Sequence, residues 1–220
     1  MKDYEWITFD CYGTLIDWEL GIGAAFEKVA RTSWVTFDRK RVLSLFRKYE
    51  AAEELHYRRY RDILTIVAKR ICLELGFKTT GHDFLVESLT RWRPFPDTNP
   101  ALQRLARRYK LGILSNVDNN LLADTCRHFV VPFKLIVTAE NVASYKPGLN
   151  HFQEARRKIG PGRWIHAAQS YFHDINPCSR LGIDSAWINR SYETGTDQNT
   201  QPLFIGPDLF AFANWMEDVE

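Results

Sequence analysis

The chain has 220 residues, 45% of them hydrophobic, which suffices for one sizeable core and leaves little room for two large independent domains. Its 29 basic and 27 acidic side chains are interspersed and leave a net charge of +2, so nucleic-acid binding is not indicated. No stretch approaches the ~20 apolar residues that cross a bilayer and the N-terminus lacks signal-peptide features, so no membrane association and a soluble, cytoplasmic protein are expected.

The first element is the short, β-branched and aromatic run Trp6-Ile7-Thr8-Phe9, which reads as a buried strand of a parallel sheet. Asp10 follows at its carboxyl end, where open α/β sheets place ligands. Behind it, Gly13 permits a tight turn or a close approach to a ligand, and the Thr14 hydroxyl can bond a neighbouring carboxylate or loop amide. Residues 16–93 form a long helix-rich stretch. In it Val42, Leu43, Leu45 and Phe46, and then Ile63, Leu64, Ile66, Val67 and Ile71, recur at helical spacing with Arg and Lys between them. Gly76 and Gly81 punctuate the helices, and Arg93-Pro94-Phe95-Pro96-Asp97 returns the chain to the sheet. Further strands are predicted at 111–114, 135–138, 164–168 and 185–188, a loop at 190–201 and a closing helix at 208–216. Strands alternating with amphipathic helices predict an α/β fold, a doubly wound parallel sheet in which 1–15 and 94–220 are the core and 16–93 is an inserted helical cap. Cys11, Cys72, Cys126 and Cys178 lie far apart with no C-x-x-C pair, so reduced thiols are expected rather than a disulfide or zinc framework.

Three more polar clusters each follow a predicted strand. Ser115 and Asn116 end the run Ile113-Leu114, where backbone N–H groups and side-chain donors can hold an anion, although Ser and Asn also serve as ordinary helix caps there. Lys146 stands in Ser144-Tyr145-Lys146-Pro147; an isolated lysine is ordinarily a solvated surface charge, and the proline fixes the chain direction beside it. The fourth cluster is Gln169-Ser170-Tyr171-Phe172-His173-Asp174, which is equally compatible with a capped helix beginning near Asp174 or Pro177. A doubly wound sheet brings Asp10, Ser115 with Asn116, Lys146 and Asp174 to one edge, and this convergence turns weak separate signals into a site.

The order and spacing of these four clusters resemble the four motifs of the haloacid dehalogenase superfamily across nearly the whole chain. The resemblance implies a Rossmannoid core and an aspartate nucleophile at Asp10. The inserted helical stretch lies where the type II L-2-haloacid dehalogenases carry their cap. Phosphatases of the superfamily have a second aspartate two residues after the nucleophile, as general acid and base; here that position is Tyr12. A phenol of pKa near ~10 shuttles protons poorly at neutral pH, and losing a general acid removes about two to four orders of magnitude. A halide needs no proton to leave. Asp10-Cys11-Tyr12-Gly13-Thr14 resembles the dehalogenases' own motif, and the Gly-Asp pair that helps phosphatases hold magnesium is absent from the fourth cluster, so no metal and no other cofactor are expected.

The resemblance further implies that Asp10 attacks the substrate carbon and forms an ester, that Lys146 keeps its carboxylate ionised, and that Asp174 positions or activates water. Ser115 and Asn116 would bind the carboxylate of a small-molecule acid, and Arg47 in Leu45-Phe46-Arg47-Lys48-Tyr49 best matches the cap arginine that holds the departing halide. Thr14 completes the expected catalytic set. Tyr12, Ser170 and His173 complete the substrate-binding set, and Trp18, Phe46, Tyr49, Tyr57 and Tyr60 could wall the pocket. By analogy a homodimer is plausible. Three positions depart from the dehalogenases: Tyr171 replaces an asparagine, Phe152 a tyrosine, and His173 an aromatic residue. Together with the extended opening through Trp18, they resemble an azetidine-2-carboxylate hydrolase branch, which opens a strained ring with the same nucleophile. The first expectation is hydrolysis of a 2-haloacid. The alternatives are ring opening of a small cyclic amino acid, a magnesium-dependent phosphatase, and a non-catalytic binding protein on the same scaffold.

Overall fold

Phe9 pairs with Ile113 on one side and with Ala167 on the other, which puts β1 (Trp6–Phe9) at the centre of a six-stranded parallel sheet. A computed structural model describes residues 3–194 and 200–218. The sheet order is β3-β2-β1-β4-β5-β6, with β2 at Lys110–Ser115, β3 at Leu135–Thr138, β4 at Trp164–Ala168, β5 at Asp184–Ile188 and β6 at Phe204–Gly206. The chain leaves β1 to build one wing, β2 and β3, and later returns to build the other, so the reversal of strand order flanks β1. Such a switch point opens a crevice at the carboxyl ends of the strands.

Alternate strand residues serve two layers. Ile7, Phe9 and Ile113 pack with Leu102 and Leu105 of α5 (Thr98–Leu105) and Phe212 of α10 (Leu209–Glu217), whereas Leu114 and Val137 face Phe152 and Ala155 of α8 (Asn150–Ile159) and Cys178 of α9 (Asn176–Leu181). Two short helices, α6 (Asn119–Cys126) and α7 (Ala139–Val142), follow β2 and β3.

The helical stretch consists of α1 (Trp18–Ser33), α2 (Arg39–Glu53), α3 (Tyr60–Leu75) and α4 (Phe84–Leu89). Asp17 and Asp38 cap the first two through the amides of Leu20 and Arg41, at 2.9 and 3.1 Å. The helical periodicity holds: Val42, Leu43, Leu45 and Phe46 are buried in α2, and Ile63, Leu64, Val67 and Ile71 in α3, with Ile66 half-buried.

The first turn of α3 has a partner that periodicity does not reveal. Asp118, in the loop after β2, accepts from the amides of Tyr60 and Arg61, both at 2.9 Å, so a core carboxylate caps a cap helix. Tyr145, next to Lys146, adds a hydrogen bond of 2.8 Å to the Arg58 carbonyl. Asp118→Ala is expected to cost about 1 kcal/mol, as loss of an N-cap does, and to lower the urea midpoint accordingly. An unchanged midpoint would show that the cap helix needs no anchor there.

Two sequence expectations are refined. Ser115 is the last residue of β2, paired with Thr138, and not the first residue beyond it. The expected loop 190–201 lies partly outside the described residues, at 195–199, and is followed by β6. Asp208 begins the closing helix as its N-cap, accepting from the Ala211 amide at 2.8 Å.

Candidate active site

The loop after β1 closes on itself within one turn. The amides of Leu15 and Ile16 both bond the Cys11 carbonyl, and Gly13 sits at φ +100° between them. A Cβ there would stand 3.2 Å from Trp18 Nε1 and 3.3 Å from Gln169 Oε1, so both conformation and space call for glycine. The turn folds Thr14 back on Asp10: its hydroxyl donates to Asp10 Oδ2 at 2.9 Å and accepts the Gln169 amide at 2.9 Å, tying the first cluster to the fourth. Arg190 clamps the loop from outside, donating to the Thr14 carbonyl at 2.9 Å and to Asp97.

Lys146 is fully buried, contrary to the ordinary habit of an isolated lysine. Its ammonium donates to Asp10 Oδ1 at 2.8 Å, to Asp174 Oδ1 at 2.6 Å and to the Leu114 carbonyl at 3.0 Å, which uses all three protons. Asn116 delivers it: the Lys146 amide donates to Asn116 Oδ1 at 2.7 Å and Asn116 Nδ2 donates to the Lys146 carbonyl at 3.1 Å. Burial disfavours charge on all three groups, and their mutual attraction opposes it. Lys146 ends well above the usual lysine range, Asp174 well below the usual carboxylate range, and Asp10 above it, pushed up by burial and by the neighbouring Asp174.

One member of this network was not singled out in the sequence. His166, buried on β4, bonds Asp174 Oδ1 at 3.0 Å through Nε2 and the Thr8 hydroxyl at 2.8 Å through Nδ1. A carboxylate only accepts, so Nε2 carries a proton. Period-2 alternation would have marked His166 as a core-facing position, but nothing in the sequence pairs it with Asp174. Since both His166 and Lys146 bind Oδ1, the buried Asp174 Oδ2 has no hydrogen-bond partner, and neither has the buried Ser115 hydroxyl.

These groups open into a cavity of about 410 Å³ between the sheet edge and the cap. Asp10, Ser115, Asn116, Lys146 and Asp174 line it from the sheet side, and Trp18, Phe46 and Arg47 from the cap. Each expected substrate-binding residue reaches the wall, with different freedom. Tyr12 presents its ring, set edge-on against Trp92, while its hydroxyl is 2.8 Å from the Thr125 hydroxyl. Ser170 caps the π-helical turn Tyr171–Ile175, accepting the His173 amide at 3.1 Å and lying 3.0 Å from its Nδ1. Burial holds His173 below the usual imidazole range. Arg47 lies over the Trp18 ring and pairs with Glu19 while remaining half exposed. Of the expected aromatic walls, Trp18, Phe46 and Tyr60 line the cavity. Tyr49 instead bonds Glu74, and Tyr57 packs on Tyr145. The cavity also contains two cap carboxylates the sequence did not single out, Glu50 and Glu54.

A magnesium ion is poorly served by this donor set. One oxygen of each acid is committed to Lys146, a phenol stands two residues beyond Asp10, and the described residues contain no metal-binding group of three or more His, Cys, Asp or Glu.

Residues 4–167 match the family described as haloacid dehalogenase-like hydrolase. The chain belongs to that family. It is therefore a hydrolase built on the superfamily's core with a helical cap, and no helix among its described residues is long and apolar enough to cross a membrane. Among its relatives is an (S)-2-haloacid dehalogenase of Pseudomonas putida, 25% identical over 98% of each chain. A glyceraldehyde 3-phosphate phosphatase of Methanothermobacter thermautotrophicus is 26% identical over 83% of this chain and 84% of its own. In fold, the chain superposes on an L-2-haloacid dehalogenase of Xanthobacter autotrophicus with chloropropionic acid covalently bound, at a TM-score of 0.82 with 15% identity, covering 99% of this chain and all of that one.

Proposed function

We propose that this hydrolase uses Asp10 to displace a substituent from a small carboxylic acid, first among them the halide of a 2-haloacid, giving a 2-hydroxy acid. The observation that carries the reading is the pair of positions 10 and 12: a carboxylate held by Lys146 and Thr14, and two residues on a phenol turned to Thr125 where a phosphatase needs a proton donor. The names of the dehalogenase relatives agree with it.

Asp10 attacks the carbon bearing the leaving group, forming a C–O bond while the C–X bond breaks and the electron pair leaves with X. Lys146 and Thr14 orient the attacking carboxylate. The substrate carboxylate meets the free Ser115 hydroxyl beside Asn116, and Arg47 at the cap wall receives the departing anion. Water then adds to the Asp10 ester carbonyl, its proton passing to Asp174 Oδ2, the oxygen that neither Lys146 nor His166 occupies. Thr8 and His166 hold Asp174 from behind. The tetrahedral adduct collapses by breaking its C–O bond to the substrate. The departing alkoxide takes back the proton held by Asp174 and leaves as the hydroxy acid, and Asp10 ionises by losing its remaining proton to solvent. The enzyme works without a metal, and 16–93 acts as its cap domain. A cytoplasmic location fits four cysteines that are all free.

A second reading keeps the nucleophile and changes the leaving group. In a small cyclic amino acid the protonated ring nitrogen takes the C–N electron pair and leaves as a neutral amine, driven by ring strain; Glu50 and Glu54 beside the cavity favour it. The test is a panel of L- and D-2-chloropropionate, azetidine-2-carboxylate and p-nitrophenyl phosphate, each with and without chelator. Chelator-insensitive halide release is expected. Chelator-sensitive phosphate release as the dominant activity would overturn the argument from Tyr12.

A further inference from the structure

Arg190 is set back from the cavity, yet its guanidinium is committed to the loop that carries Asp10. It follows β5 by two residues, its amide bonding the Ile188 carbonyl at 2.9 Å, so it leaves the sheet at the same carboxyl edge as Asp10 and Ser115. Nε and Nη2 both donate to the Thr14 carbonyl, at 3.3 and 2.9 Å, and Nη2 also donates to Asp97 Oδ2 at 2.9 Å. Asp97 is itself fixed, since Oδ2 accepts the Leu209 amide at 2.7 Å where α10 begins. The Phe95 ring, 4.0 Å from the guanidinium carbon, supports its plane. Well-packed apolar residues often stabilise a fold as much as a buried ion pair does. Stability alone therefore does not account for a cation whose side chain is only 14% exposed.

The residue it grips is the one that orients the nucleophile. The Thr14 hydroxyl spends its proton on Asp10 Oδ2 and accepts the Gln169 amide; with Lys146 on Oδ1, this fixes the plane of the Asp10 carboxylate. Carbonyl and hydroxyl belong to one residue, so a carbonyl held at Arg190 leaves the side chain few directions in which to point. The next carbonyl, that of Leu15, is held separately by the Phe95 amide at 3.1 Å and the Thr98 hydroxyl at 2.8 Å. The Arg190 bonds thus act on Thr14 and not on the loop at large. The same strand end holds Gln169: Trp187 Nε1 donates to its carbonyl at 2.9 Å, and Glu193 accepts from its Nε2 at 3.0 Å.

We infer that Arg190 is a positioning residue of the reaction: by holding the Thr14 carbonyl it aims the Thr14 hydroxyl at Asp10 and keeps the attacking carboxylate aligned with the substrate carbon. This deepens the proposed function and rests on Asp10 as the nucleophile. In-line displacement tolerates little misdirection, and a misplacement of about 1 Å can lower a rate about 10²-fold. Lysine at this position keeps a charge for Asp97, but a point cation on a flexible stem lacks the planar fork that spans carboxylate and carbonyl together.

The experiment compares Arg190→Lys and Arg190→Met with Asp208→Ala, which removes the N-cap of α10 and leaves the Thr14 carbonyl held. With a substrate that wild type turns over, the single-turnover rate of ester formation should fall at least about 30-fold in both Arg190 variants. Substrate Kd, measured with Asp10→Asn added, should stay within about threefold. Asp208→Ala should lower the urea midpoint at least as much as Arg190→Lys and keep the rate within about threefold of wild type. A second readout needs no substrate. Donation from Thr14 favours the charged form of Asp10, so carboxyl carbon-13 NMR should show the Asp10 titration moved to higher pH in Arg190→Lys, with Lys146 and Asp174 unchanged around it. A wild-type rate or a wild-type Asp10 titration in Arg190→Lys, or a matching rate loss in Asp208→Ala, overturns the role. Solvent oxygen entering product and not Asp10 would remove the nucleophile instead, and the titration would still decide whether Arg190 holds Thr14 on Asp10.

Discussion

Asp10→Asn is expected to lower kcat by at least about 10⁴-fold, roughly 5.5 kcal/mol of barrier, while leaving the urea midpoint within about 1 kcal/mol of wild type. The amide has nearly the carboxylate's shape and can still accept from Thr14 or Lys146, but it offers no anionic oxygen to attack carbon. The decisive measurement uses excess wild-type enzyme and one turnover in heavy-oxygen water, followed by mass analysis of the peptide containing Asp10. Because solvent oxygen adds to the ester carbonyl, the label should enter Asp10 and the product hydroxyl should be unlabelled. Label in the product with none in the peptide would mean that water attacks substrate directly, and Asp10 would then be at most a base. The acid limb of kcat should follow Asp10 as well. Activity needs it ionised and its carboxyl is pushed above the usual range, so activity falls with pH sooner than an ordinary aspartate would dictate.

The core was legible because a buried parallel strand is a short apolar run with a polar residue at its end, and five such runs stand in order. Phe204–Gly206 escaped because three residues, with Ile205 exposed at their centre and glycine at their end, are too short to carry an apolar run or a readable alternation. Asp10, Lys146 and Asp174 were identifiable from their positions beyond strands, and the structure brings both carboxylates within hydrogen-bond reach of the Lys146 ammonium. His166 and Asp118 were not. Each does its work through a partner remote in sequence or across a turn, His166 on Asp174 and Asp118 on the amides of Tyr60 and Arg61. Glu50 and Glu54 were hidden for another reason. Acidic residues on an amphipathic helix usually face solvent, and only the placement of α2 over the sheet edge turns this pair inward.

Lys146→Met should destabilise the fold by about 3–5 kcal/mol at neutral pH, because it removes one partner of a buried cluster and strands two carboxylates facing each other. The sign of the pH dependence separates this cause from a simple packing defect. In wild type the Asp174 carboxyl lies below its unfolded value, so its contribution is present above the ordinary carboxylate range and is lost as pH falls through the folded pKa. Lys146, raised above its unfolded value, contributes below about pH 10 and loses that contribution as pH rises through its folded pKa. Without the ammonium, desolvation and mutual repulsion lift a carboxylate of the pair above its unfolded value. That variant gains stability, relative to wild type, as pH falls from 8 toward 5 and the pair takes up a proton. Urea midpoints at pH 8, 6.5 and 5 measure the difference, which should shrink as pH falls. A difference constant across the range would assign the loss to packing and remove Lys146 as the charge that keeps Asp10 and Asp174 ionised together. Activity discriminates further: a methionine fills the space but leaves Asp10 protonated more of the time, so kcat should fall most at the acid end of the range over which the variant remains folded.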